Sequence, residues 1–291
     1  MPQTQNQQAG WKPALRTRTI RAAFTSDPDD AYAWWALATG KLEVPGCRFE
    51  TSAHHIQDIN EACVRGEYDI AAVSSAAWPK LAGNYCILQS GASVGRNYGP
   101  ALATKRLEES EIARGARVGI PGEMTTGALL LRLFYPGVKT VALRFDEIAG
   151  AILEDKIDAG VLIHEELLNW KAAGLRRVAC LGEKWTAHTG LPLTVGLNVI
   201  HRRLGSDLMA ELSRAIRESM LLADAHEAEA LKWAMRYSRE AEPEIGRTFI
   251  RMFANADTVR MGDDCLRALK TMFDMAHERG LCDAVPEIAV I

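Results

Sequence analysis

An α/β protein of two lobes, with a ligand cleft between them and a helical C-terminal tail, is the fold that this sequence predicts. Three observations predict it. Short β-branched runs alternate with amphipathic stretches from residue 18 to residue 200, the pattern of strands and crossover helices. The chain has 291 residues, more than one hydrophobic core usually serves. From residue 206 to residue 280 the strand pattern stops and a nearly all-helical one replaces it. A composition of 48% hydrophobic and 24% charged residues fits an ordinary globular chain and excludes a disordered one.

Residues 18–25 read as the first strand. Asp27, Pro28, Asp29 and Asp30 then place acids and a proline at a helix start, where free N–H groups and the helix dipole favour them. That helix continues through 31–39, and Gly40 supplies its stop. A strand at 48–52, a helix at 56–64 and a buried strand at 68–74 form the next unit, and a strand at 84–90 leads into a glycine-bearing loop at 91–100. A new series begins at Pro100: a strand at 116–120, a turn at 121–126 feeding a helix at 127–134, a strand at 139–143 and a helix at 145–154. The strand at 158–163 runs straight into His164, Glu165 and Glu166, which open another helix. After a strand at 193–200 comes the tail, with Pro243 opening one helical segment and Gly262-Asp263-Asp264 another. One lobe is therefore expected to hold residues 1–98 and 200–291, and the other residues 99–199. Extended crossovers near 99–102 and 196–200 would join them, with the tail returning to the first lobe. A ligand would lie between the lobes, where strand ends and helix N-termini converge.

Lys and Arg total 34 against 37 for Asp and Glu, a net charge of -3, so no overall basic field exists to hold nucleic acid or an anionic membrane. No run approaches the ~18 apolar residues of a membrane span, and residues 1–15 carry no apolar secretory segment. A cytoplasmic protein with no nucleic-acid or membrane partner is expected. The six cysteines (Cys47, Cys63, Cys86, Cys180, Cys265 and Cys282) form no CxxC pair and read as reduced core thiols rather than disulfides or zinc ligands. No Walker loop, HExxH, GxSxG or GxGxxG motif is present, and glycines at 91, 95 and 99 have the wrong spacing for a dinucleotide.

Thr125 and Thr126 sit where a turn meets a helix, so their hydroxyls and the first free N–H groups can hold a carboxylate; simple N-capping is the alternative. Ser74 and Ser75 end a buried strand facing the same cleft. His164 alone among seven histidines directly ends a strongly apolar strand. That placement suits a general base near neutrality, against the alternative of a hydrogen-bonded structural histidine. Glu165 or Glu166 can hold its tautomer or cap the next helix. The remaining histidines, His55 among them, look peripheral. Trp34 and Trp78 either fill the core or line the cleft beneath an aromatic ring.

The segments GASVGRNYGP (91–100), IPGEMTTGALLL (120–131), DAGVLIHEELLNW (158–170), GEKWTAHTGLPLTVG (182–196) and ANADTVRMGDDCLRAL (254–269) resemble the 1,4-dihydroxy-6-naphthoate synthase family of the futalosine route to menaquinone. The resemblance runs in order from Thr19 to Leu281. It implies the fold of type II periplasmic solute-binding proteins. It also implies a lyase that needs no metal or organic cofactor and converts cyclic dehypoxanthinyl futalosine to 1,4-dihydroxy-6-naphthoate. His164 matches the family's proposed base, Thr125 and Thr126 its carboxylate-facing threonines, and Ser74 and Asp30 two further substrate positions. Ser26, Ser75, Arg96 and Glu165 complete the expected substrate-contacting set. Asp27 stands where the family usually has Cys and Asp29 where it has Asn, and such carboxylates beside an anionic substrate are costly unless Arg96 or Lys80 offsets them. A small-anion (aromatic carboxylate) binding or sensing protein on the same fold is the alternative function.

Overall fold

The computed structural model describes residues 17–239 and 243–291; the polar start read at residues 1–15 lies outside them. The first lobe begins with β1 (Arg18–Thr25), α1 (Pro28–Ala38), β2 (Cys47–His54), α2 (Ile56–Val64) and β3 (Ile70–Ser74). A 3-10 turn (Ser75–Ala77), α3 (Trp78–Leu81), β4 (Tyr85–Ile87) and β5 (Ser93–Gly95) complete its first pass. The second lobe holds β6 (Ala101–Thr104), α4 (Glu109–Ala113), β7 (Arg117–Ile120), α5 (Thr126–Phe134), β8 (Lys139–Ala142) and α6 (Phe145–Leu153). It closes with β9 (Ala159–Leu162), α7 (Glu166–Asn169), β10 (Arg176–Cys180) and α8 (Leu181–Thr189). The chain returns through β11 (Leu193–His201) to the tail: α9 (Ser206–Ala225), α10 (Glu227–Ala234), α11 (Pro243–Phe253), α12 (Ala256–Val259) and α13 (Asp263–Glu278).

Each lobe has one mixed sheet. The first runs β2-β1-β3-β11-β4, with β5 also paired to β11; the second runs β10-β6-β9-β7-β8. β1 lies parallel to both β2 and β3, and β7 parallel to both β8 and β9. β11 runs antiparallel to β3, β4 and β5. This long strand moves the expected boundary. The sequence pattern places residues 193–199 in the second lobe with a crossover at 196–200, but β11 is one strand and belongs to the first sheet throughout. The return therefore lies at residues 190–192, just after α8. β5 falls inside the stretch read as a loop, and β6 and β10 were not foreseen. β6 is Ala-Leu-Ala-Thr, short and buried on both faces, so it shows no alternation of apolar and polar residues.

Helices cover both faces of both sheets. Along β1, Ala22 and Phe24 face a core shared with α1, α9 and α10, while Ala23 faces one shared with α2, α3 and α13. In the second lobe Leu102 and Val161 pack towards α5 and α8, and Ala101, Ala103 and Leu162 towards α6 and α7. The tail returns to the first lobe but also enters the second. Cys265, Leu269 and Phe273 of α13 pack in the first lobe's core, whereas Ala268, Met272 and Ala276 on its adjacent stripe pack with α5 and α8. α11 divides likewise, with Ile250 against α1 and α9, and Phe249 and Phe253 against the second lobe.

Because α13 serves both cores, Phe273→Ala is expected to cost ~3–5 kcal/mol of unfolding free energy, measured by urea titration. The loss should appear in one transition, seen alike by tryptophans of both lobes; two separated transitions would show that the lobes are stabilised independently.

Candidate active site

A cavity lies between the lobes, where small-molecule sites commonly form. Both lobes and the tail build its wall. From the first lobe come Thr25, the α1 start with Asp27, Asp29 and Asp30, and Ser74 at the end of β3. The second lobe contributes Thr125, Thr126 and Gly127 at the α5 start and Ile163 and His164 after β9, and the tail contributes Phe249 and Phe253. β11 passes between as Val195, Gly196 and Leu197.

His164 has φ 57°, a left-handed backbone that is uncommon for a residue other than glycine. The chain turns sharply there between β9 and α7, which aims the imidazole back across the cleft. Its Nδ1 meets Oδ2 of Asp27, and neither Glu165 nor Glu166 takes that place. Among the described residues Nε2 has no hydrogen-bond partner, and the residue lines the cavity. The ring of Phe145 stands edge-on to His164 at 4.5 Å, stacks on His55 at 5.0 Å, and carries the Arg239 guanidinium 4.4 Å from its centroid. His55, which looks peripheral in the sequence, is therefore a buried residue packed behind Phe145 and His164.

The α1 start is a buried acidic corner. Asp27, Asp29 and Asp30 are 1%, 7% and 8% exposed, which decides their chemistry: three desolvated carboxylates this close cannot all be ionised. Burial, then the Asp30 charge, pushes Asp27 up to about 7. Burial and the Asp29 charge push Asp30 to about 7, and burial with the Asp27 charge raises Asp29 well above the carboxylate range. Burial also raises Glu166 to about 7 and lowers His164, so the imidazole is neutral at neutral pH. Thr25 bridges the corner, with its hydroxyl 2.9 Å from Asp27 Oδ1 and 2.5 Å from Asp30 Oδ2. Among the described residues no N–H or hydroxyl donates to Asp29 Oδ1, though the carboxyl lies against that of Asp27, and its other oxygen is 3.5 Å from the Ser93 hydroxyl.

Across the cavity the α5 start offers donors. Thr125 donates its hydroxyl proton to Gly122 O and caps Ala128 N, and Thr126 donates to Val195 O and accepts from Ala76 N. Both hydroxyl protons are thus used inside the protein. The backbone N–H groups of Thr126 and Gly127, which have no partner one turn back, are what the helix presents to an anion. Ser74 Oγ accepts from Asn60 Nδ2 and keeps its own proton to donate.

Of the predicted contacts, His164, Thr125, Thr126, Ser74 and Asp30 meet on this wall, and Ser26, Ser75, Arg96 and Glu165 do not. Arg96 is committed elsewhere: Nε and Nη2 grip Asp257 and Nη1 grips Asp264, each at 2.8 Å. It cannot offset the acidic corner. Glu165 turns to the segment after α10, accepting from the Ser238 hydroxyl and from Arg239 N, and Ser26 accepts from the Arg239 guanidinium. Ser75 is fully buried with an unpartnered hydroxyl behind the wall. Trp34 and Trp78 lie in the first lobe's cores, and the aromatic lining comes from Phe249 and Phe253. Among the described residues no group of three or more His, Cys, Asp or Glu is arranged to hold a metal ion.

The family described as Menaquinone biosynthesis matches residues 20–278. A 1,4-dihydroxy-6-naphthoate synthase of Thermus thermophilus is 31% identical over 267 residues, 92% of this chain and 97% of that protein. The enzyme of the same name from Streptomyces coelicolor is 31% identical over 274 residues, 92% of this chain and 96% of that one. A crystal structure of an Archaeoglobus fulgidus protein superposes with a TM-score of 0.86 at 37% identity, covering 90% of this chain and 98% of that one. The alkanesulfonate-binding protein of Xanthomonas axonopodis pv. citri bound to MOPS gives 0.75 at 14% identity, over 96% and 99% of the two chains, and shares the fold alone.

The acidic corner fixes a sign for stability against pH. A carboxyl raised in the folded state keeps its proton where the unfolded chain has lost it, so stability falls as pH climbs from ~4 through about 7. Asp29→Asn removes one of the repelling charges and should gain roughly 1–3 kcal/mol over the parent at pH 8 and little at pH 5. Urea unfolding at the two pH values checks it; an equal effect at both would mean that Asp29 does not ionise in this range.

Proposed function

The chain belongs to the menaquinone-biosynthesis family, and from that premise we propose that it is a cofactor-free carbon–carbon lyase converting cyclic dehypoxanthinyl futalosine to 1,4-dihydroxy-6-naphthoate, with His164 as general base. One observation carries the reading. His164 faces the cavity between the lobes with Nδ1 occupied by Asp27 and Nε2 left to accept a proton, opposite a helix start that offers N–H groups to an anion.

A substrate carboxylate on the N–H groups of Thr126 and Gly127, with the Ser74 hydroxyl beside it, leaves the rest of the molecule crossing towards the acidic corner. Phe249 and Phe253 offer ring faces along the way. Nε2 of His164 then takes the proton of a hydroxyl on the sugar-derived fragment, the fragment leaves as a carbonyl compound as the carbon–carbon bond breaks, and the bond's electron pair passes into the second ring, which becomes aromatic. The imidazolium returns its proton to the ring oxygen on which that charge gathers. Protons move and no hydride is exchanged, so these residues need no redox partner. A cytoplasmic enzyme acting on a small aromatic carboxylate, with neither nucleic acid nor membrane as partner, goes with this reading; among the described residues no helix is long and apolar enough to cross a membrane.

Mass spectrometry of the protein incubated with cyclic dehypoxanthinyl futalosine tests it. The naphthoate product is expected, whereas a bound but unchanged ligand would make the chain a binding protein. His164→Asn suits the left-handed backbone, since Asn tolerates that region better than most residues, but it cannot accept the proton. It should fold and bind while kcat falls ~10²–10⁴-fold with little change in KM. Loss of binding together with turnover would make His164 an anchor rather than the base.

A further inference from the structure

We infer that Asp27 is the positioning residue of His164: tied through Thr25 to Asp30, it accepts the Nδ1 proton and thereby leaves Nε2 as the accepting nitrogen in the cavity. The inference rests on the reading of His164 as base and deepens it. Asp27 occupies the place where the resemblance leads one to expect a Cys, so the pairing is a feature of this chain's own residues.

Hydrogen-bond accounting carries the argument. Thr25 has a single hydroxyl proton, yet its oxygen lies within 2.9 Å of Asp27 Oδ1 and 2.5 Å of Asp30 Oδ2. One proton cannot serve two ionised carboxylates, so one of the two carboxyls carries a proton and donates it to Thr25. The Thr25 N–H also donates to Asp30 Oδ2, at 3.0 Å, which favours Asp30 as the ionised member and Asp27 Oδ1 as the protonated oxygen. In that arrangement, and equally in its reverse, Oδ2 of Asp27 remains an acceptor. His164 Nδ1 lies at hydrogen-bonding range of that oxygen, with the Asp29 carboxyl also against Asp27, and a neutral imidazole that donates there must carry its lone pair on Nε2.

The same corner tunes when the base is ready. The groups facing the pair are Asp29 and Asp30 from α1, Glu166 from α7, Arg239 from the segment after α10, and His55 at the α2 start. Carboxylates outnumber the one guanidinium, so a proton held in the Asp27–Thr25–Asp30 chain must leave before the corner can stabilise an imidazolium. Asp27, at about 7, places the acid limb of activity there, with kcat rising as pH increases through it.

Nitrogen-15 NMR of the labelled full chain reads the tautomer directly, with the His164 signals identified by their loss in His164→Asn. The expected state has the proton on Nδ1 and none on Nε2. In Asp27→Asn the amide can turn its N–H₂ to Nδ1, so the proton should move to Nε2. With cyclic dehypoxanthinyl futalosine, kcat should then fall ~10²–10⁴-fold while KM stays within about threefold. Thr25→Val should keep the tautomer but displace the acid limb of kcat, and an unmoved limb would overturn the link to Asp30. A wild-type ring protonated on Nε2, or an Asp27→Asn variant with full kcat, would overturn the inference. If that variant does not fold, the wild-type spectrum alone decides. A wild-type protein with the expected tautomer that never turns the substrate over would instead sink the lyase reading and leave the pairing standing.

Discussion

The burial of three carboxylates at the start of α1 is the constraint on which the rest of the site depends. Taking Asp27, Asp29 and Asp30 out of water is costly, and only shared protons, the α1 dipole, the Thr25 bridge and the Arg239 charge offset it. Such a corner must be held rigidly, because a carboxyl that swings to solvent regains an ordinary acidity. β1 is therefore flanked on both sides, by β2 and β3, and delivers Thr25 and Asp27 from an interior strand. β9 does the same for His164 from between β6 and β7.

Neither lobe builds the cleft alone. The acids belong to the first, His164 and the α5 start to the second, and the aromatic rings to the tail. Their relative placement is fixed by residues that do not touch the cavity. Arg96, in the connection between β5 and β6, fastens to Asp257 in α12 and Asp264 in α13. Glu165, next to the base, binds the segment after α10, and Arg239 from that segment reaches back to Ser26 beside the acidic corner. Gln57 of α2 receives the N–H of Met124 just before α5. Arg96, Glu165 and Ser26, expected as substrate contacts, instead spend their polar groups on these links.

Local chemistry was legible in the sequence wherever one segment decided it. β1 and α2 lie at the residues expected from β-branched and amphipathic patterning, and the acids with Pro28 do open α1. The strand end at His164 and the helix start at Thr125–Thr126 were visible for the same reason. What escaped was set by pairing between distant segments. Nothing local says that Asp27 rather than Glu165 meets His164, because the left-handed turn that aims the ring is a tertiary requirement. β6 is hidden by its shortness and two-sided burial, and β10 is a short edge strand that opens on two exposed arginines. The sequence leaves Trp34 and Trp78 as either core or cleft residues, and both lie in the core. Phe249 and Phe253 reach the cleft only because α11 lies across both lobes.

The shared frame with an alkanesulfonate-binding protein shows how little of the chemistry the fold itself dictates. A cleft that only grips an anion needs donors around it, and an unpaired carboxylate there would repel the ligand. This cleft has donors at the α5 start and carboxyls at the α1 start, so it discriminates between the two ends of whatever it holds. By charge alone the α5 start suits an anionic group and the α1 start hydroxyl protons. The cost of that asymmetry is visible as repulsion among the acids and as backbone strain at His164, each of which a purely structural cleft would shed. Such costs persist when the surrounding structure overdetermines them. Here α13 packed into two cores and the Arg96 clamp supply that excess, which connects the tail's double packing to the chemistry at the opposite side of the cleft.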